Sequence, residues 1–91
     1  MSLVVRFRPT GLTMETYEQA LRRVQEDGEW PPDGLFSHCF FGPEGDLRVS
    51  EIWDSLEQFE AFGERLMPVL SEVGIDPGDP EVFEIHNIVR R

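Results

Sequence analysis

Residues 47–74 change their hydrophobic period from two residues to about 3.6 at Trp53-Asp54-Ser55. Such a change is typical of a strand that leads directly into a helix. The helix can begin at either of two caps, because Asp54 with Glu57 and Ser55 with Gln58 each form a capping-box-like pair. Its buried stripe is predicted to contain Leu56, Phe59, Phe62, Leu66, Leu70 and Val73.

The rest of the chain continues the alternation of strands and helices. We predict strand β1 over residues 2–8, helix α1 over 14–27 after the N-cap Thr13, and strands β2 over 35–41 and β3 over 46–53. Helix α2 is predicted from residue 54 or 55 to 73, and strand β4 over 82–89. Right-handed crossovers then favour a four-stranded antiparallel sheet of order 4-1-3-2, with both helices on one face. The predicted fold class is α+β, ferredoxin-like βαββαβ, in a single domain over residues 1–91.

Composition restricts the classes of function. The formal net charge of −10 at pH 7 weighs against nucleic acid and anionic membranes as partners, because both require cationic contacts. No apolar run approaches the ~20 residues that a membrane helix needs. No secretory signal is recognised, and the single Cys39 cannot form an intrachain disulfide. We therefore expect a cytoplasmic protein with Cys39 as a small core residue.

The predicted sheet has one face that the helices do not cover. A domain of 91 residues buries only about 60 to 65% of its unfolded surface, so a second copy would add useful stability. The residues expected to face the helices are Leu35, Cys39, Phe41, Leu47 and Val49, which leaves Phe36, Phe40, Ile52, Val4 and Ile88 on the other face. We predict a homodimer through this open sheet face, because so much apolar surface is rarely left in water.

The stretch EIWDSLEQFEAFGERLMPVL, together with the βαββαβ order, resembles the dimeric α/β-barrel superfamily. That superfamily includes the antibiotic-biosynthesis monooxygenase-like proteins. The most specific part is Trp53-Asp54-Ser55 followed by Phe59, Phe62 and Pro68. The resemblance covers residues 4–89 and implies a dimeric α/β barrel without a cofactor. The activities it implies are oxidation of polyaromatic molecules, haem degradation, isomerisation or cyclisation, and some members only bind ligands.

Haem degradation fits this sequence poorly. The haem-degrading relatives use an Asn, a Trp and a His, whereas Arg6 or Arg8 occupies the region of the Asn. Neither His38 nor His86 lies on a predicted helix, and Trp53 matches only loosely.

Glu51 and His38 are the candidate catalytic residues. Glu51 lies on an otherwise apolar strand face, and a carboxylate beneath the helices can act as a general base. Alternatively, Glu51 pairs with an arginine or lies near the sheet end, where water reaches it. His38 is predicted to face outward with Phe36 and Phe40, where it either shuttles protons or is satisfied at the dimer interface.

The candidate ligand-binding residues are Trp53, Cys39, Asn87, His86 and Trp30. Trp53 can line a pocket for a flat ligand and Trp30 can cover it from the Pro-rich loop, although both can equally be structural. His86 and Asn87 are placed on predicted strand β4. No metal is expected, because the histidines and Cys39 lack metal-ligand spacing.

Arg6 and Arg48 are predicted to share the outward face on neighbouring strands. There they either bind an anionic ligand in the barrel lumen or pair with Glu84.

Two functions therefore remain open from the sequence. The first is the binding of a small apolar or aromatic molecule. The second is a cofactor-independent monooxygenase or isomerase acting on a small aromatic or polyketide-like substrate. An open pocket that contains Glu51 would favour the enzyme, and a filled core with Glu51 in an ion pair would favour binding alone.

Overall fold

Two helices alternate with four strands in the order predicted from the sequence. The computed structural model describes residues Met1–Arg91. The elements are β1 Leu3–Phe7, α1 Met14–Asp27, β2 Leu35–Phe41, β3 Arg48–Trp53, α2 Leu56–Val73 and β4 Glu81–Glu84. All neighbouring strands are antiparallel, and their order β2-β3-β1-β4 is the predicted order 4-1-3-2. The ferredoxin-like α+β fold is confirmed.

Both helices begin at side-chain caps. Thr13 Oγ1 accepts a hydrogen bond from the Thr16 N–H at 3.0 Å, and Thr16 Oγ1 accepts one from the Thr13 N–H at 2.8 Å. At α2, Ser55 Oγ accepts from the Gln58 N–H at 3.2 Å, so Ser55 and not Asp54 is the cap. These bonds satisfy backbone donors that have no partner within the first helical turn.

Helix α2 continues through Pro68 and ends at Gly74. The φ angle of Gly74 is 85°, a left-handed conformation that glycine adopts easily, and its N–H donates to the Leu70 carbonyl. The long helix lays its apolar stripe across the sheet, with Phe62 and Val69 buried.

Strand β2 contains an irregularity close to its beginning. Leu35 pairs with Trp53, but the next pair along the strands is Ser37 with Ile52. The shift places one extra residue in β2, as in a β-bulge. Because side chains alternate between faces with a period of two, every residue after the bulge changes to the opposite face.

The bulge makes four of the predicted β2 facings wrong. His38 and Phe40 face the helices, and the Phe40 ring stacks on Tyr17 of α1 at a centroid distance of 3.9 Å. Cys39 is exposed on the open face, so it is not the small core residue expected from the sequence. Phe41 likewise points to the open side.

Strand β4 is shorter than predicted. It pairs only with β1, and the last pair is Leu3 with Glu84. One further hydrogen bond joins the Ile85 N–H to the Ser2 carbonyl at 3.0 Å. Because β1 begins at Leu3, residues after Ile85 have no strand beside them, and the prediction of strand over 85–89 is wrong.

The core lies between the helices and the sheet face that they cover. Val5 and Trp53 are fully buried at its centre. The other buried apolar residues are Leu12, Ala20, Val24, Leu47, Phe62, Val69, Leu70 and Ile75. Glu51, which is 5% exposed, is the only charged residue buried with them.

Candidate functional site

His38 and Glu51 face each other across β2 and β3, and their side chains meet beneath the helices. The two residues are direct cross-strand partners, and His38 Nδ1 lies 2.6 Å from Glu51 Oε2. The Tyr17 hydroxyl, from α1, lies 2.8 Å from His38 Nε2. The Trp53 indole N–H donates to Glu51 Oε1 at 3.0 Å. Tyr17, His38, Glu51 and Trp53 thus form one connected set of hydrogen bonds, which we call the polar relay.

The donors in the polar relay can be assigned from the groups that meet. The indole nitrogen of Trp53 only donates, and an ionised carboxylate only accepts. With Glu51 ionised, His38 must carry its proton on Nδ1, which lies against the carboxylate. The Nε2 of a neutral His38 is then unprotonated and accepts the hydroxyl proton of Tyr17. With Glu51 ionised and His38 neutral, all the protons of the relay point towards Glu51.

Glu51 remains in the core because both of its carboxylate oxygens are hydrogen-bonded. Its side chain is 7% exposed, and a buried carboxylate without partners would be strongly unfavourable. Trp53 bonds one oxygen and His38 the other. An ion pair between Glu51 and an arginine, considered above, is not formed, because His38 takes that position.

The Tyr17 hydroxyl remains protonated at physiological pH. Burial raises the pKa of Tyr17 above 10.0, and the nearby Glu51 and Cys39 raise it further, because a buried phenolate beside negative charge is disfavoured. The parallel stacking of its ring on Phe40, at an interplanar angle of 6°, fixes the direction of the hydroxyl. Tyr17 therefore presents a neutral hydroxyl to His38.

A cavity of about 90 Å³ lies between the helices and the sheet, and the polar relay forms part of its wall. Tyr17, His38 and Glu51 line it, and 12 of its 16 lining residues, Tyr17 among them, are hydrophobic. The apolar wall includes Phe7, Leu12, Leu21, Val24, Val49 and Phe62. A mainly apolar cavity with a few convergent polar groups is the usual form of a small-molecule site.

Trp30 closes one side of the cavity from the loop between α1 and β2. Its ring meets His38 edge-on at a centroid distance of 5.3 Å and packs against Phe62 at 6.1 Å. Arg65 of α2 supports this loop, because its guanidinium donates to the Glu29 carbonyl at 3.4 Å and lies over the Phe62 ring. The loop therefore holds Trp30 beside the polar relay.

The structure brings together four of the predicted site residues, Glu51, His38, Trp53 and Trp30. The prediction that His38 faces outward is wrong, because the β2 bulge turns it towards the helices. The remaining candidates lie apart from the cavity, with Cys39 on the open sheet face and His86 and Asn87 exposed beyond the end of β4.

Tyr17 is the site residue that the sequence does not reveal. The helical pattern predicts it only as an apolar member of α1 that packs near Leu12. Its hydroxyl is the one feature that could have indicated a role in the site, since the hydroxyl of a half-buried tyrosine usually has a hydrogen-bond partner. The sequence does not indicate that this partner is His38.

A second cleft, of about 200 Å³, lies on the open side of the sheet and is lined by Arg6, Arg8 and Arg48. Arg48 pairs with Asp46 at 2.6 Å and Arg8 with the same carboxylate at 3.1 Å, so Arg48 does not form the pair with Glu84 that was one of its two alternatives. Hydrogen bonds from Arg48 and then Arg8 lower the pKa of Asp46 to about 2. Asp46 belongs to the hairpin turn, and β3 begins after it.

The described residues contain no cluster of three or more side chains suited to hold a metal ion. His38 and Glu51 lie together, but the Nε2 of His38 is taken by Tyr17. Neither helix has the length and apolar content that crossing a bilayer requires.

The fold and the cavity define the structural class of this protein. It has four antiparallel strands with two helices on one face, an open second face, and a partly polar cavity under the helices. This is the fold of the antibiotic biosynthesis monooxygenase-like proteins, in agreement with the resemblance seen in the sequence.

Solved structures share this fold over nearly the whole chain. A candidate antibiotic biosynthesis monooxygenase from Deinococcus radiodurans is 14% identical, with a TM-score of 0.62 over 100% of this chain and 98% of that one. SnoaB, a cofactor-independent oxygenase from Streptomyces nogalater, is 14% identical, with a TM-score of 0.63 over 99% and 96%. A candidate monooxygenase from Shewanella loihica is 17% identical, with a TM-score of 0.58 over 96% of each chain. The sequence matches no protein-family profile and no curated protein.

Proposed function

We propose that the protein binds a small, largely apolar or aromatic molecule in the cavity between its helices and its sheet. The observation that carries the proposal is an apolar cavity with the polar relay in its wall. Glu51 is the only charged residue buried in this core, and it lines the cavity. A buried ionisable group at a cavity is the pattern found at binding and active sites.

Filling the cavity tests this proposal. Ala20 of α1 is 7% exposed and lines the cavity, so Ala20→Leu places extra bulk inside it. Ala61 of α2 is exposed, and Ala61→Leu makes the same change in contact with water. We expect toluene to shift the NMR signals of cavity residues in the wild type and in Ala61→Leu, and not in a folded Ala20→Leu. Absence of such shifts in the wild type would contradict the proposal.

A second candidate function is that of a cofactor-independent oxygenase or isomerase acting on a small aromatic molecule. The His38–Glu51 pair favours it, because Glu51 holds the histidine with its basic Nε2 directed towards Tyr17 and the cavity. SnoaB, which shares the fold, is a cofactor-independent oxygenase. In this function His38 would accept a proton from the substrate. The proton would pass either through the Tyr17 hydroxyl or directly from a substrate group that takes the position of that hydroxyl.

Oxygen uptake distinguishes an oxygenase from a binding protein. Hydroquinone, a single-ring and readily oxidised phenol, is a suitable first probe in an oxygen electrode. An oxygenase should increase uptake above the rate in buffer, and His38→Gln should reduce this increment by about 10²-fold or more. Cys39→Ser, on the opposite face of the sheet, is the matched control. An increment that His38→Gln leaves unchanged would exclude His38 as the base.

We infer that two copies of the chain pair through the open sheet face. Phe36 and Phe83 on this side are 47% and 55% exposed. The bulge exchanges the two neighbouring phenylalanines, so Phe41 takes the place on this face that the sequence assigns to Phe40. Native mass spectrometry should detect a dimer that Phe83→Glu dissociates and that Met67→Glu, at a 51% exposed position on α2, leaves intact. A monomeric wild type would contradict the inference.

The exposed thiol of Cys39 is suited to a reducing compartment, so we propose that the protein is cytoplasmic. Fractionation of cells that produce the natural protein tests this, and the expected result is recovery with cytoplasmic markers.

A further inference from the structure

The polar relay presents hydrogen-bond acceptors to the cavity but no free donor. The indole N–H of Trp53 and the Nδ1–H of His38 both donate to Glu51. With His38 neutral and its proton on Nδ1, the Tyr17 hydroxyl, 2.8 Å away, donates its only proton to His38 Nε2. Each proton is therefore used within the relay, and the polar atoms that the relay itself offers to a ligand are oxygens with free lone pairs.

A ligand that brings only an acceptor to the relay would place one acceptor against another. A carbonyl or ether oxygen would lose its water and gain no donor, whereas an O–H or N–H group can bond to the Tyr17 oxygen. An anionic ligand would in addition be repelled by the carboxylate of Glu51. The relay therefore favours a neutral ligand that carries a donor.

The volume of the cavity favours a ligand no larger than a single ring. The cavity measures about 90 Å³, less than the ~150 Å³ of an engineered apolar cavity that holds benzene in another protein. Trp30 and Phe62 pack against each other beside it, at a ring-centroid distance of 6.1 Å.

We propose that the cavity selects neutral single-ring molecules that carry a hydrogen-bond donor, such as phenols and anilines, over rings whose polar group only accepts. This inference rests on the proposed binding function and adds a chemical rule set by the direction of the hydrogen bonds. Reversing that direction in the protein should therefore reverse the preference.

Four ligands of matched shape test the rule by NMR titration. Phenol is compared with toluene, and anisole with ethylbenzene, so that each oxygen compound has an apolar ligand of similar size. We expect the oxygen to weaken binding about tenfold more in anisole than in phenol, because only the phenol oxygen carries a donor. Equal effects of the oxygen in the two pairs would overturn the rule.

Glu51→Gln should reverse the relay with little change of shape. The amide oxygen can still accept from Trp53, while the amide N–H₂ donates to His38 Nδ1 and moves the histidine proton to Nε2. His38 then donates to Tyr17, whose own proton becomes free to bond a ligand in the cavity. Anisole should gain about tenfold relative to phenol, whereas Cys39→Ser should keep the wild-type ratio. An unchanged ratio in Glu51→Gln would overturn the proposal.

The position of the His38 proton is measurable without any ligand. Nitrogen-15 NMR should place it on Nδ1 in the wild type and on Nε2 in Glu51→Gln, with the His38 signals assigned by comparison with His86→Gln. A wild-type proton on Nε2 would overturn the donor rule even if phenol binds. If the four ligands bind without regard to the donor, the rule fails and the binding function stands. If none reaches the cavity, both fail.

Discussion

The side chains of His38 and Glu51 meet at 2.6 Å beneath the helices because β2 and β3 pair directly at these two residues. This pairing places both side chains on the covered face only because of the bulge between Leu35 and Ser37. In an unbroken β2 strand, His38 would point to the open face. The site therefore depends on a feature of the backbone and not on a short sequence motif.

Removal of the Trp53 indole N–H should destabilise the protein. Trp53→Phe leaves one oxygen of the buried Glu51 without its donor and opens a gap at the centre of the core. We expect a loss of about 2–4 kcal/mol in the free energy of unfolding, measured with urea. Trp30→Phe removes an indole that is only half-buried, so its loss should be clearly smaller. Equal losses would show that the bond to Glu51 contributes nothing.

Tyr17 is the only tyrosine in the chain, so phenolate absorbance follows its titration alone. Its raised pKa predicts a midpoint above 10.0 in the folded protein. As the pH rises, the unfolded chain loses this proton first, so stability should fall between the unfolded and folded pKa values. Glu51→Gln should lower the midpoint, since the Glu51 charge contributes to the shift. A midpoint that is unchanged on denaturation in urea would contradict this account.

Asp46 should support the fold in acid. Its pKa of about 2, set mainly by Arg48 and then by Arg8, lies below the ordinary value of 3.8. Its contribution to stability is therefore present above 3.8 and is lost as the pH falls through about 2. Asp46→Asn should make the melting temperature less dependent on pH across this range, whereas Glu44→Asn, in the same turn, should leave that dependence unchanged. Parallel acid profiles for the wild type and Asp46→Asn would contradict the prediction.

Cys39 reports both the facing of β2 and the state of the open sheet face. In the single chain its thiol is exposed, so an aromatic disulfide reagent should modify it rapidly in dilute protein. If two copies pair through this face, modification should become slower as the protein concentration rises. Slow modification in dilute Phe83→Glu, the variant designed to remain monomeric, would instead show that Cys39 is not accessible.

Local patterns in the sequence predict the elements well. The change of period at Trp53-Asp54-Ser55 locates the junction of β3 and α2, and Thr13 locates the start of α1. The burial of Glu51 also follows from strand alternation, because β3 has no bulge between Val49 and Trp53. These features depend on residues that are close together in the chain, so a single sequence is enough to predict them.

The errors concern contacts between distant segments. The bulge in β2 depends on how the strand pairs with β3, and the end of β4 depends on where β1 begins. The bond between Tyr17 and His38 joins a helix to a strand 21 positions away. Hydrophobic periodicity carries no information about such pairs, so the relay became visible only in three dimensions.

The bulge in β2 also has a consequence for comparison with other chains of this fold. After the bulge, the residues that would point to the open face in an unbroken strand point to the cavity, and their neighbours point to the open face. An alignment that slips by one position here would match His38 with a residue that points away from the ligand. Gain or loss of one residue near Phe36 could thus exchange the chemistry of the site while the two helices above it stay the same.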